Sequence, residues 1–185
     1  MRSTRYGLSK RQSATVAALL DAGLDHLREH GYEQLTIRAV ATRAGVTHTT
    51  AYSYFSSKDH LVAEMLWRRL DALAPPVTDL TMSLPDRITE ALGGPGLVLS
   101  DDPALAQAGL AALLTQDPDV ARLRDTIGTD LARRIQAALG DAADDELTEA
   151  LMLAFSGAML QAGMGYFDFS GVVRRMASMA RLLER

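Results

Sequence analysis

Residues 47–54 read T-H-T-T-A-Y-S-Y, which places Thr47, His48, Thr49, Thr50 and Tyr52 within two helical turns of one another. Hydroxyls donate or accept hydrogen bonds, an imidazole does both, and Thr and Ala methyls pack on thymine methyls. The set suits a helix lying close to base edges. Taken alone, it also reads as an ordinary solvated helix start. Other chemistry finds less support. His26 and His30 stand at i, i+4, a metal-binding spacing, but no third ligand is evident and a solvated helix face is preferred. The acids of 141–149 read better as helix capping than as an acid/base or metal site. No nucleophile–base pair stands out, no glycine-rich phosphate loop follows a strand, and there are no cysteines. Neither catalysis nor a cofactor is expected.

The frame for residues 47–54 is helical. Val16, Leu19, Leu20, Gly23, Leu24 and Leu27 share one face of a helix over 10–30, which Gly31 is placed to stop. Thr36 caps a second helix, 37–44, with Ile37, Val40 and Ala41 inward. Gly45 makes the turn and Thr47 caps a third helix, 47–54. This order of short capped helix, glycine turn and short helix is the helix-turn-helix arrangement, whose second helix enters the major groove. Ser57 caps a fourth helix running to about residue 73, with Asp59 in its first turn. Val62, Leu66, Leu70 and Leu73 form one stripe on it, and Leu61 and Met65 start another. A helix with two apolar faces is expected to connect two modules.

Pro75-Pro76 marks the boundary. Beyond it the pattern predicts a short helix after Pro85, a turn at Gly93-Gly94-Pro95-Gly96, and helices over about 102–115 and 117–139. Two more are predicted over about 141–167 and 171–184. The expectation is an all-α fold of about nine helices. Residues 1–56 would bind DNA, 57–74 would connect, and 75–185 would bind ligand and dimerise.

Net charge is −4, yet residues 1–60 carry +3 and the remainder −7. A basic module on an acidic body can offer its positive face to phosphates. Arg2, Arg5, Lys10 and Arg11 form a basic arm that reads either as a minor-groove contact or as a frayed terminus. The N-terminus has no apolar run after its basic residues, and a cytoplasmic location is expected.

The string L-T-I-R-A-V-A-T-R-A-G-V-T-H-T-T-A-Y-S-Y-F-S-S-K-D-H-L, residues 35–61, resembles the N-terminal domain of the TetR (tetracycline repressor) family. Ala41, Ala44, Gly45, Val46, Thr47, Tyr52, Tyr54, Phe55, Lys58 and Leu61 match its pattern, as does the spacing from Gly31 to Thr36. The match covers about residues 10–65, and beyond residue 75 only helix count and length are alike. Ala51 departs from the family, which often has a larger aliphatic residue there. The resemblance implies that Thr47, His48, Thr49 and Tyr52 face bases, beside Thr50. It implies that Thr36, Arg38, Ser53, Tyr54 and Lys58 hold phosphates or nearby edges.

In the second half, residues 150–167 have only Ser156 and Gln161 as clearly polar members. A membrane span is one reading. An acidic entry and many small residues argue against it, and no membrane partner is expected. A helix apolar all round must be buried all round, and a second copy can cover the face its own chain does not. The expected interface is Met152, Phe155, Ser156, Met159, Gly163, Val172, Met176, Met179 and Leu183. The family dimerises through its last two helices, and two-fold symmetry implies a palindromic operator. The resemblance also implies a ligand pocket. Its candidates are Trp67, Leu70, Leu110, Leu113, Leu114, Ile127, Leu131, Phe155 and Met159, with Gln107, Thr126 and Gln161 as polar contacts. Plain core is the alternative for each. The whole reads as a homodimeric regulator, a repressor released from DNA by a small apolar ligand. The rivals are the same module acting as an activator or without a ligand, and a helical enzyme or carrier with an incidental helix-turn-helix.

Overall fold

The computed structural model describes residues 9–75 and 79–183. Among them are nine α-helices, one 3-10 turn and no strand. Arg2, Arg5 and Pro76 lie outside the described residues.

Local chemistry starts most of these helices. α1 (Lys10–Gln34) opens on a capping box: the Ser9 hydroxyl accepts from the Gln12 N–H at 3.3 Å, and the Gln12 side chain accepts from the Ser9 N–H at 2.9 Å. Gly31, at φ 79°, kinks α1 where the sequence suggested a stop, and one further turn follows. Thr36 caps α2 (Ile37–Arg43) and Thr47 caps α3 (His48–Tyr54), each accepting a backbone N–H at 3.1 Å. Gly45 turns the chain between them at φ 68°. Ser57 caps α4 (Lys58–Asp71) and Ser83 caps α5 (Leu84–Asp101). Asp102, Asp117 and Asp144 cap α6 (Pro103–Leu113), α7 (Pro118–Leu139) and α8 (Asp145–Gly163), and α9 is Ser170–Leu183.

α4 stands between two hydrophobic clusters. Its Leu61, Val62 and Met65 close a cluster with Leu19, Leu27, Val40, Ala51 and Phe55 from the first three helices and Phe55's turn. Leu105, Ala108 and Ala112 of α6 complete that cluster. Leu66 and Leu70 of α4 belong to the other, with Ile88 and Leu92 of α5, Ile135 of α7, Leu151 and Phe155 of α8, and Val172 and Met176 of α9.

Two expectations fail here. Gly93-Gly94-Pro95-Gly96 is not a turn but the third quarter of α5, with Pro95 and Gly96 buried. Proline inside a helix removes one hydrogen bond and glycine weakens it further, so packing must override propensity. It does so by close approach: a Cβ on Gly96 would lie 2.3 Å from Val173 Cγ2 of α9. The helix expected over 141–167 is also shorter. Gly140–Ala142 form the 3-10 turn, and Gly165 at φ 83° follows the end of α8. No helix among the described residues is long and apolar enough to cross a membrane.

If α5 runs unbroken, its glycines should respond oppositely to one change. Nothing lies within 4 Å of a Cβ added at Gly93. Gly93→Ala should then raise unfolding stability by up to about 1 kcal/mol through helix propensity. Gly96→Ala should lower it by about 1–2 kcal/mol through overpacking against Val173. Urea denaturation reads both, and changes of the same sign would contradict a continuous helix.

Candidate DNA-binding interface

α3 is seated by its inner side. Ala51 is fully buried and Phe55, its C-cap, nearly so. A small residue at 51 lets the helix lie close on the core. Outward point His48, Thr49, Tyr52 and Ser53, at i, i+1, i+4 and i+5, on one exposed edge. Tyr52 is 51% exposed, a large apolar ring held in water.

The hydrogen bonds divide these residues by task. Thr47 and Thr50 join hydroxyls at 2.8 Å, and Thr47 also accepts the Thr50 N–H, so both build the helix start. Ser53 donates its hydroxyl to the Thr50 carbonyl at 2.7 Å. The side chains of His48, Thr49, Tyr52 and the exposed Arg38 make no hydrogen bond or ion pair among the described residues. Thr36 is occupied as a cap, and Tyr54 is half-buried. Lys58 reaches back, donating to the Tyr32 carbonyl at 3.2 Å with its ammonium 4.1 Å from the Tyr32 ring centre. The Tyr32 hydroxyl donates to Asp59; burial first, and the Asp59 carboxylate second, push the phenol far above its ordinary range. Arg43 is engaged bidentately by Glu29 at 2.5 and 2.6 Å, which holds Glu29 below its usual range. Lys10 and Arg11 are exposed at the start of α1.

Polar contacts tie this head to the rest of the chain, among them Arg68 of α4 donating to Asp21 of α1 at 2.7 Å. Arg28 of α1 donates through Nε and Nη2 to Asp102 Oδ2 at 3.1 and 2.6 Å. Asp102 is 5% exposed, caps α6 and has Arg69 of α4 3.8 Å away. At the α3–α4 junction, Ser56 donates to Asp119 Oδ2 at 2.7 Å and Ser57 to Asp117 Oδ2 at 2.6 Å. Buried His60 accepts the Ser56 N–H at Nδ1 (3.3 Å) and meets the Phe55 ring edge-on. Burial lowers the His60 pKa, against the carboxylates of Asp119, Glu64 and Asp117, with Arg122 adding to the lowering. Burial opposes ionisation of Asp117, yet the Ser57 hydroxyl and the Asp119 and Val120 N–H groups hold its pKa low. None of these contacts follows a sequence period. The one readable sign was a Ser or Asp before a proline or an acidic turn.

The second half holds an open cleft of about 410 Å³ between α4 and α7. Trp67, Leu70 and Leu73 line it, with Asp71, Thr126, Thr129, Asp130, Arg133 and Arg134. Arg134 donates to Asp130 Oδ2 at 2.7 Å and to the Ala74 carbonyl, and Arg133 also pairs with Asp130. Trp67, Leu70 and Thr126 thus stand where a pocket was expected. The other candidates do not. Phe155 is buried in the core, and Leu113, Ile127, Leu131 and Met159 pack against it. Leu110 leans over Gly163 of α8. Leu114, Gln107 and Gln161 face solvent. Charged side chains line one wall, so the site is not the apolar one anticipated.

The residues expected at the dimer face divide between the chain's own core and its surface. Val172 and Met176 are fully buried in the chain's own core, with Phe155, because α9 turns its apolar stripe onto α5. Ser156 is exposed, and Met152, Met159 and Gly163 are half-buried. The uncovered apolar row on α8 runs Leu153, Gly157, Leu160, Met164, with Leu153 67% exposed. Met179, Leu182 and Leu183 extend it on α9. No group of three His, Asp or Glu side chains placed to hold a metal occurs among the described residues.

A capped helix, a glycine turn and a second helix with an unpartnered outer edge define a helix-turn-helix DNA-binding regulator. The family model described as bacterial regulatory proteins, tetR family, matches residues 19–65. An uncharacterized HTH-type transcriptional regulator of Mycobacterium tuberculosis is 42% identical over 177 residues, covering 95% of this chain and 83% of that protein. The HTH-type transcriptional repressor KstR of Rhodococcus jostii is 30% identical over 139 residues, covering 74% of this chain and 66% of its own. In fold, the chain is similar to a TetR transcriptional regulator from Rhodococcus sp. RHA1 (TM-score 0.71, 22% identity, 94% of this chain and 98% of that one). The chain belongs to the TetR family of transcriptional regulators. These relatives are regulators, not enzymes.

His60 gives the α3–α4 junction a pH signature. Its folded-state pKa lies below the ordinary 6.5, so the fold favours the neutral ring. That preference is without effect above pH 6.5, where both states are neutral. As pH falls below 6.5, the unfolded chain binds a proton the folded chain refuses, and stability declines until the folded value is reached. Urea midpoints measured in steps downward from pH 7 should fall in the parent and flatten in His60→Phe relative to its own pH 7 value. Equal slopes in the two proteins would contradict the assignment.

Proposed function

We propose that the protein is a homodimeric repressor that binds a palindromic operator and is released by a small molecule held between α4 and α7. Residues 1–56 form the reading head, 57–74 the connector and 75–185 the body. It acts in the cytoplasm, where the operator lies. The observation that carries the reading is the edge of α3: His48, Thr49 and Tyr52 are exposed and without partners on an otherwise well-satisfied helix. They read bases, while Arg38 and the N–H-rich starts of α2 and α3, capped by Thr36 and Thr47, sit against phosphates. Lys58 and Tyr54 support the edge from behind. One chain carries one head. The uncovered row Leu153, Gly157, Leu160, Met164 supports pairing through α8 and α9 into a four-helix contact. A two-fold pair presents two heads, and hence needs an inverted repeat.

The repressor sense is supported by the name of KstR, a repressor, among the relatives. For the ligand, the cleft supports a molecule with an apolar or aromatic body against Trp67, Leu70 and Leu73. Its polar end would meet Arg133, Asp130 and the two threonines. An occupant there touches α4, the helix that carries the head, and can bias its position.

Selection from a random duplex library should enrich an inverted repeat, and sedimentation should give twice the chain mass. Tyr52→Ala and His48→Ala should each weaken the selected duplex by about tenfold to a hundredfold at unchanged mass. Leu160→Glu should shift the mass toward one chain and abolish tight binding. Parent-like binding by both α3 variants would place the reading edge elsewhere, and a monomeric parent would remove the palindrome.

A further inference from the structure

We propose that Asp117 and Asp119 of α7 are positioning residues for DNA reading: they latch the α3–α4 junction and so set the pitch of the reading helix. The inference rests on α3 being that helix.

α3 is only seven residues long and is followed at once by Phe55, Ser56 and Ser57. Wherever that junction goes, α3 goes. Both serine hydroxyls give their single proton to α7, Ser56 to Asp119 and Ser57 to Asp117. Ser57 Oγ meanwhile accepts the His60 N–H at 3.0 Å, which caps α4. Asp117 Oδ1 accepts the N–H groups of Asp119 and Val120 at 2.8 and 3.4 Å, which caps α7. The N-caps of two helices are thus bonded directly to each other. Neither cap can shift without disturbing the other, and bonds to an ionised acceptor are stronger than neutral ones.

The latch does not stand alone. Just below it, Ala63 of α4 meets Val120 and Leu123 of α7 in a small buried apolar cluster flanked by Trp67 and Leu113. Trp67 also lines the α4–α7 cleft, and α7 supplies Thr126, Thr129, Asp130, Arg133 and Arg134 to it. The helix that forms one wall of the cleft therefore ends, at its N-terminus, on the turn behind the reading helix. The head's charged tether to α6 is Arg28 of α1 to Asp102, and α1 also pairs Asp21 with Arg68 of α4. Tethers on different elements fix an orientation that one would leave free to pivot. Breaking the α7 tether leaves α3 folded, because its cap and its buried Ala51 and Phe55 are local, but frees its angle.

The test separates angle from folding. Asp117→Asn keeps an oxygen to cap α7 but puts an NH2 group, which donates and cannot accept, where the Ser57 acceptor was. Asp119→Ala or Ser56→Ala removes the second bond. The duplex selected by the parent is remade with its half-sites one or two base pairs closer or farther apart, and a single half-site duplex serves as control. Each base pair moves a half-site by about 3.4 Å and turns it, so a rigid pair of heads should discriminate sharply, by about tenfold or more. The Asp117→Asn/Asp119→Ala protein should lose about tenfold on the best spacing. Its affinities across the spacings should converge, and half-site binding should stay within about twofold of the parent. Ser56→Ala should show the same flattening, more weakly. A purely structural defect would scale all duplexes alike and keep the parent's profile, and that result would overturn the proposal. If the parent selects no duplex at all, the DNA-reading assignment itself fails, an outcome distinct from an unchanged profile.

Discussion

One helix has to close two hydrophobic cores. α4 is short, yet Leu61, Val62 and Met65 seal the first cluster while Leu66 and Leu70 enter the second. Burial of apolar area is the dominant favourable term for each cluster, so neither is complete without this helix. Neighbouring helices must come close to it. A Cβ on Gly109 of α6 would stand 2.8 Å from Leu66, which leaves glycine as the residue that lets α6 cross. The two cores therefore share α4 as a common wall. Packed interiors shift between discrete arrangements more readily than they compress.

Charge is used differently in the two halves. The acids that make the body negative in the sequence are largely engaged: Asp102, Asp117 and Asp144 cap helices, Asp119 holds Ser56, and Asp130 holds two arginines. In the head, Arg43 is neutralised by Glu29, and Lys58 is folded onto Tyr32. What faces outward from α3 carries no formal charge at all. Among the described residues of the head, Lys10, Arg11 and Arg38 are exposed cations, while the outer edge of α3 offers hydrogen-bonding groups and methyls.

The head was legible because its rules are local. Ser9, Thr36, Thr47 and Ser57 announce helix starts within three residues, Gly45 announces the turn, and the stripe from Val16 to Leu27 announces the face. The body was less so. Gly93 to Gly96 reads as a turn on propensity, and only the nearness of α9 explains why it is helical. α8 shows the opposite difficulty. A helix apolar on all sides has no period to say which side is inner, and the structure turned Phe155 inward and Leu153 and Leu160 outward.

By itself, the sequence determined the all-helical class and the position of the helix-turn-helix, because capping, turn geometry and short-range periodicity act within a few residues. Only the tertiary structure decided the rest. It chose which face of α8 stays uncovered, made the α4–α7 cleft charged rather than apolar, and brought Asp117 and Asp119 to Ser57 and Ser56 across about sixty residues of chain. Contacts at such separation depend on where whole helices pack, and no local pattern carries that information.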